Sequence, residues 1–388
     1  MPESGAELRQ RWVDELHDLG FTPPTVSDKL RIVPVGRVNR EVVVDLVLSR
    51  LGTRRSSWNS ADIRGEVERI IASVDIVTAA PVRRELAEDL VDRTIARCVP
   101  LLDRDDVPEH VRSLTSRRVL DVEADLLARL TARADQPATS CRVGTVVARC
   151  ELDPAQRRVV AALGGTAQLL VIEGAAGAGK TTTLAAARGL LEGDDKRLLV
   201  VTPTLKAAQV AEEQLGATAF TSAWLIHQYG FRWDEDGYWN RDPVPRVDLP
   251  TLARLLPGDL LLIDEAGMLD QDVARALLTV ADDTGARIAF VGDRHQLPAV
   301  GRGGVLDHAA RWARPEACLE LDGVHRFSDP EYADLTLLMR SGERSGEVFD
   351  ALLQRGEVVI HASKVERTAA LAEIGADSGQ LVIADTRD

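Results

Sequence analysis

Leu169-Leu170-Val171-Ile172-Glu173 is an apolar run of strand length, and Gly174-Ala-Ala-Gly177-Ala-Gly179-Lys180-Thr181 follows it without a break. The loop matches G-x-x-x-x-G-K-[ST] in full, between a buried strand and a segment, residues 181–191, that reads as a helix. Working outward, apolar runs of similar length stand at 198–202, 260–264 and 288–292. Helical segments alternate with them. Asp153-Pro154 opens one, with a cap and then a proline in the first turn, that runs to about residue 163; others cover 206–215 and 271–281. Strands apolar along their whole length and separated by helices define a parallel sheet with helices on both faces, an α/β fold.

Each part of the loop has a physical task. Gly174, Ala175, Ala176, Gly177, Ala178 and Gly179 are small enough for the backbone to wrap a polyphosphate, and the N–H groups at the helix start point at the anion. Lys180 is placed to neutralise the β- and γ-phosphates, and the Thr181 hydroxyl to ligate Mg²⁺, with Thr182 beside it in the same turn. The run Leu260-Leu-Leu-Ile263-Asp264-Glu265 delivers two carboxylates at the end of a strand, where open α/β sheets bind their ligands. Asp264 is expected to hold Mg²⁺ through water, and Glu265 is the candidate general base for an attacking water. Phe290-Val-Gly292-Asp293-Arg-His-Gln296-Leu-Pro-Ala-Val-Gly301 ends a third strand and presents Gln296. A glutamine there can bond a γ-phosphate in one state and release it in the next. ATP and Mg²⁺ are the expected cofactors. Hydrolysis is expected rather than transfer to a small molecule, because a kinase has no use for a base aimed at water.

The chain of 388 residues is 45% hydrophobic and 28% charged, so it can build substantial cores, and its length suits two or three domains. No apolar run is long enough to cross a membrane, and the acidic start (Glu3, Glu7) is unlike a signal peptide. Cys98, Cys141, Cys150 and Cys318 lack C-x-x-C spacing and read as ordinary thiols of a cytoplasmic protein. The net charge of −14 argues against a general polyanion-binding surface, though local cation clusters still bind nucleic acid. Residues 1–138 read as an all-α region. Ser4 with Glu7 forms a capping box, and Leu8, Trp12, Leu16 and Leu19 share a face up to Gly20. Asn59 caps a helix over 61–73, Pro81 starts another, and Leu120, Val122, Leu126 and Leu130 line a last one. This region is a helical accessory domain or a helix-turn-helix reader. The acidic stretches 103–106 and 270–272 read as solvated loops or caps.

Two segments bear on single-stranded DNA. Thr202-Pro-Thr204-Leu-Lys206 lies at a strand-to-helix junction, where N–H groups, hydroxyls and a cation grip phosphates without reading sequence. Tyr229-Gly-Phe231-Arg-Trp233-Asp-Glu-Asp236-Gly237-Tyr-Trp239 carries an Asp-Gly turn between aromatic strands, a hairpin inserted near 229–241. Its aromatics either pack across the hairpin or guide strands.

Together with Gln156 and His325-Arg326-Phe327, these motifs resemble superfamily 1 DNA helicases of the RecD type. More narrowly, they resemble the helicase part of TraI/TrwC-type conjugative relaxases. The resemblance spans about 150–388 and implies a RecA-like P-loop NTPase sheet over 139–326. It also implies an incomplete second RecA-like domain over 327–388, whose later motifs are missing, so the chain reads as a fragment with weak ATPase activity of its own. By the same resemblance Gln156 reads the adenine, Arg326 acts as an arginine finger, and Thr202, Thr204, Lys206 and His227 line the path of DNA. The implied function is an ATP-dependent 5′-to-3′ helicase in conjugation or in recombination and repair, with a relaxase or other such proteins as partners. The alternative is a nucleotide-gated single-strand clamp without motor action.

Overall fold

The computed structural model describes residues 5–21, 33–74, 76–104, 106–141, 152–175, 177–216, 218–244, 248–296, 299–321, 323, 329–342 and 344–376. The chain forms two compact units, one of residues 1–51 and 58–114, the other of residues 52–57 and 115–388.

In the first unit the helices are α1 (Gly5–Asp18), α2 (Arg40–Arg54, whose last turn belongs to the second unit), α3 (Ser60–Ser73) and α4 (Ala80–Arg97), followed by the short strands β1 (Val99–Pro100) and β2 (Leu114–Thr115, whose Thr115 belongs to the second unit). Asn59 caps α3 through a reciprocal box with Asp62, and Pro81 sits in the first turn of α4, both as the sequence suggests. Val44, Val47, Trp58, Ile63, Val67, Leu86 and Leu90 are buried. The α1 stripe forms but is not packed, since Trp12, Leu16 and Leu19 are exposed. The expected Ser4 cap lies outside the described residues.

The second unit contains α5 (Arg117–Ala134), α6 (Pro154–Leu163), β3 (Leu169–Gly174), α7 (Lys180–Gly193), β4 (Leu198–Thr202), α8 (Leu205–Leu215), β5 (Ala219–Thr221), α9 (Ser222–Gln228), β6 (Phe231–Trp233), β7 (Trp239–Arg241), β8 (Leu260–Ile263), α10 (Gln271–Thr284), β9 (Arg287–Gly292), α11 (Val305–Trp312), β10 (Cys318–Leu321), α12 (Pro330–Ser341), α13 (Ser345–Gln354) and α14 (Lys364–Ala376). Six parallel strands are ordered β10-β3-β9-β8-β4-β5. Alternate strand residues face two separate cores. Leu169, Val171, Leu261, Ile263, Ile288 and Phe290 meet α5, α9, α10 and α11, whereas Leu170, Ile172, Val200, Leu260, Leu262 and Val291 meet α6, α7 and α8.

Two features depart from the sequence reading. The edge strands β5 and β10 complete the sheet but are too short and mixed in composition to stand out as apolar runs. And α5, expected within a helical region ending at 138, buries Val119, Val122, Leu126 and Leu130 and packs against α10, α11 and β3. By packing, the helical region therefore closes near residue 114. An amphipathic stripe states that a helix has a buried face, not which element covers it.

Candidate active site

Strands β3, β9 and β8 are neighbours, in register Glu173↔Gly292 and Ile263↔Phe290, so the loops leaving their C-terminal ends emerge side by side. The loop after β3 closes on α7 through Gly177 and Gly179, at φ of +84° and +75°, backbone that a side chain would strain. Lys180 Nζ donates to the Gly174 carbonyl at 3.2 Å, and the buried Thr183 hydroxyl donates to Gly179 at 2.9 Å, which fixes the loop's shape. Lys180, Thr181, Asp264, Glu265 and Gln296 line one cleft of about 450 Å³, with Lys206 and Gln214 of α8 on its other wall.

Burial, reinforced by the adjacent Glu265, raises the pKa of Asp264, and Lys180 opposes that rise. Glu265 N donates to Asp264 Oδ1 at 3.0 Å, and Glu265 itself sits at φ +56°, ψ +40°, a left-handed conformation that costs a non-glycine residue about 1–2 kcal/mol. Two neighbouring carboxylates facing one lysine form an anionic site that a divalent cation would relieve. Thr181 donates its hydroxyl proton to Gln214 Oε1 at 2.9 Å, which leaves the oxygen's lone pairs free for that cation. Hard oxygen donors of this kind fit Mg²⁺. Gln214 escaped the sequence reading, although it lies on the same face of α8 as Lys206 and Val210, eight and four residues before it.

The loop after β9 is pinned on two sides. Arg294 forms a fork with Glu173, Nε to Oε2 at 2.7 Å and Nη2 to Oε1 at 2.5 Å, and Glu173 directly precedes the glycine-rich loop. Arg340 of α12 places Nε 2.9 Å from both oxygens of the buried Asp293. Beside them the backbones of two loops touch: a Cβ on Gly267 would meet the Asp293 carbonyl at 2.9 Å.

Other expected site residues stand apart. Gln156 is buried in a capping box, its Oε1 accepting from Asp153 N at 3.0 Å, and it does not line the cleft. Thr202 is fully buried and its hydroxyl donates to the Thr204 carbonyl at 2.8 Å, so this side chain shapes the junction and is not open to a DNA strand. Thr204 caps α8 and lines both this cleft, together with Lys206, and the groove described next. His227 is exposed on α9 and lines neither the cleft nor the groove described next. Asp272 is not solvated but paired with buried Arg302, and no cluster of three metal-type ligands occurs among the described residues. Ala176, Cys150, Leu297, Pro298 and Arg326 lie outside the described residues.

A second groove of about 470 Å³ shares Thr204 with the cleft and is lined by Pro203, Ser222, Trp233, Trp239, Met268 and Val300. The β6–β7 hairpin forms as the Asp-Gly turn requires, with Gly237 at φ +80° and Asp234 Oδ1 accepting from Asp236 N and Tyr238 N. Trp233 stacks on Trp239 with centroids 5.1 Å apart, yet remains 41% exposed, so it packs across the hairpin and also offers a face to the groove. Arg118 of α5 donates to the Gly237 carbonyl and ties down the hairpin tip.

The parallel sheet, glycine-rich phosphate loop and facing Asp-Glu pair define a P-loop nucleotide-binding protein of RecA-like fold. The AAA domain family matches residues 151–363, more than half of the chain, and the chain belongs to that family. It is similar to a probable conjugal transfer protein TraA of Sinorhizobium fredii, 24% identical over 65% of this chain and 21% of that protein. It is also similar to the ATP-dependent RecD2 DNA helicase of Deinococcus radiodurans, 35% identical over 40% of this chain and 19% of the relative. The RecBCD enzyme subunit RecD of Mycolicibacterium smegmatis is 28% identical over 56% of this chain and 44% of its own length. The chain thus spans less than half the length of each of these relatives. No helix among the described residues is long and apolar enough to cross a membrane.

Proposed function

We propose that this chain is the ATP-hydrolysing part of a helicase-type motor that moves 5′ to 3′ on single-stranded DNA, in the cytoplasm, during conjugative DNA processing or recombination and repair. The observation that carries the reading is the gathering of Lys180, Thr181, Asp264, Glu265 and Gln296 around one cleft. Lys180 and the N–H groups of the loop hold the terminal phosphates. Bound Mg²⁺, held by Thr181 and Asp264, would offset their charge. Glu265 takes the proton of a water whose oxygen bonds to the γ-phosphorus, as the bond to the β–γ bridging oxygen breaks and ADP leaves. Gln296 registers the γ-phosphate, and Thr204, common to cleft and groove, lets that state reach a strand lying against Trp233. Polarity, the adenine contact of Gln156, the finger role of Arg326 and a relaxase partner rest on the family resemblance.

The test is Mg·ATP turnover with and without 5′- and 3′-tailed DNA. Single strands should stimulate the native chain. Lys180→Ala and Glu265→Gln should each lower turnover by about 10²-fold or more, with nucleotide binding kept in the latter. Binding of nucleotide and strand without turnover would leave a nucleotide-gated clamp, and absence of nucleotide binding would remove the reading.

A further inference from the structure

Gln296 faces the nucleotide cleft on a turn built by Asp293. Gln296 N donates to the Asp293 carbonyl at 3.2 Å, and His295 N donates to Asp293 Oδ1 at 3.0 Å. The Asp293 carboxylate is 3% exposed and takes Arg340 Nε at 2.9 Å on each oxygen. Arg340 comes from α12, which packs on α13 and contributes no lining to the cleft. On its other flank the turn is bolted to Glu173 by Arg294, so it can yield only a little toward the phosphate loop. A shift of the Gln296 turn is therefore felt at Asp293, and a buried carboxylate that moves must carry its cation along or lose it.

We propose that Arg340 is a positioning residue that couples the γ-phosphate state of the cleft to α12 through Asp293. The proposal rests on the reading that the cleft binds ATP. When Gln296 engages a γ-phosphate, the Asp293 turn tightens and Arg340 draws α12 with it. When the γ-phosphate is gone, the turn relaxes and α12 is released. A single N–H, on Nε, spans both Asp293 oxygens, and a lysine would keep the charge but lose the rigid planar group that aims that N–H.

The experiment is hydrogen exchange of the amides of residues 331–341 in the full chain, free, with Mg·AMP-PNP and with Mg·ADP, alongside nucleotide affinity and turnover. In the native chain Mg·AMP-PNP should slow that exchange at least about threefold relative to Mg·ADP. In Arg340→Ala and Gln296→Ala the difference should vanish, and in Arg340→Ala, which leaves the cleft lining intact, the AMP-PNP dissociation constant should stay within about threefold of native. Turnover in Arg340→Ala should fall about tenfold or more in kcat with KM little changed, and Arg340→Lys should recover part of it. Should Arg340→Ala fail to fold, Arg340→Lys carries the comparison, with a difference smaller than native expected. Native chain that binds AMP-PNP without any response in α12 would overturn the proposal and leave the ATP reading intact. So would an Arg340→Ala chain whose α12 responds as the native one does. A native chain that binds no nucleotide would remove both.

Discussion

At the scale of single residues, the two most informative side chains are charges drawn out of water and used in opposite ways. Asp264 is half-buried in the cleft beside another carboxylate, and desolvation first, then that neighbour, raises its pKa. A carboxyl whose folded-state pKa is raised weakens the fold while ionised, above that pKa, and the penalty fades as pH falls through it. Asp264→Asn should therefore stabilise the nucleotide-free protein at neutral pH by about 0.5–2 kcal/mol, a gain that shrinks in acid. It should also abolish Mg²⁺-dependent turnover. Thermal unfolding across pH, paired with an ATPase assay, checks both halves. Arg287 is 2% exposed without a carboxylate partner among the described residues, and burial lowers its pKa to about 10, so it is still charged at neutral pH. Its guanidinium donates to the carbonyls of Ala167 at 3.0 Å and Leu163 at 2.8 Å, closing the C-terminal end of α6. Arg287→Met keeps much of the volume and strands those acceptors. A loss of about 2–4 kcal/mol in denaturant unfolding is expected. The sequence disclosed Asp264 because a carboxylate at the end of an apolar strand is conspicuous. Arg287 stayed hidden because an arginine in front of such a strand looks like its solvated start.

At the scale of elements, what could be read in advance was whatever has a local cause. The four inner strands announce themselves because both faces are buried, and the hairpin because Asp-Gly supplies its turn. What could not be read depends on partners distant in sequence: the edge strands, the hold of Arg118 on the hairpin tip, and the Glu173–Arg294 and Asp293–Arg340 pairs. The hairpin yields a test. Trp233 shows 41% of its surface and Trp239 backs it by stacking. Base stacking on an aromatic contributes about 1–3 kcal/mol per base. Trp233→Ala should weaken single-strand binding roughly 5- to 150-fold by fluorescence anisotropy while leaving DNA-independent ATP turnover unchanged. Equal affinity in the two chains would place the strand elsewhere. The contact of the loop after β8 with the loop after β9 yields another. A methyl group at residue 267 would sit 2.9 Å from the Asp293 carbonyl, closer than Cβ atoms approach backbone oxygen. Gly267→Ala must push the Asp-Glu loop from the Gln296 loop, and turnover should drop about tenfold or more with the fold retained by circular dichroism.

At the scale of the whole molecule, the division into units decides where function can be cut free. The composition of residues 1–138 is helical throughout, and nothing in it separates α5 from the helices before it. Only the sheet does so, because Leu126 and Leu130 share one core with Leu169 and Val171 of β3 and with α9, α10 and α11. Fully burying each such side chain is worth about 1.5–3 kcal/mol. Leu126 and Leu130 together are worth about 3–6 kcal/mol, a large share of the about 5–15 kcal/mol that holds a typical domain folded. Residues 52–57 belong to the same unit on a smaller scale, with Thr115 Oγ1 donating to the Ser56 carbonyl at 2.7 Å. A chain that starts at residue 115 should therefore remain folded and bind Mg·ATP, with a modest loss of thermal stability from the missing 52–57 segment. One that starts at residue 139, where composition alone would cut, should expose Leu169, Val171 and Leu277 to water and aggregate or lose cooperative unfolding. Calorimetry and nucleotide binding on the two shortened chains distinguish the cases. Equal stability of both would mean that α5 is an ornament on the sheet and that the sheet's second face is covered by α9, α10 and α11 alone.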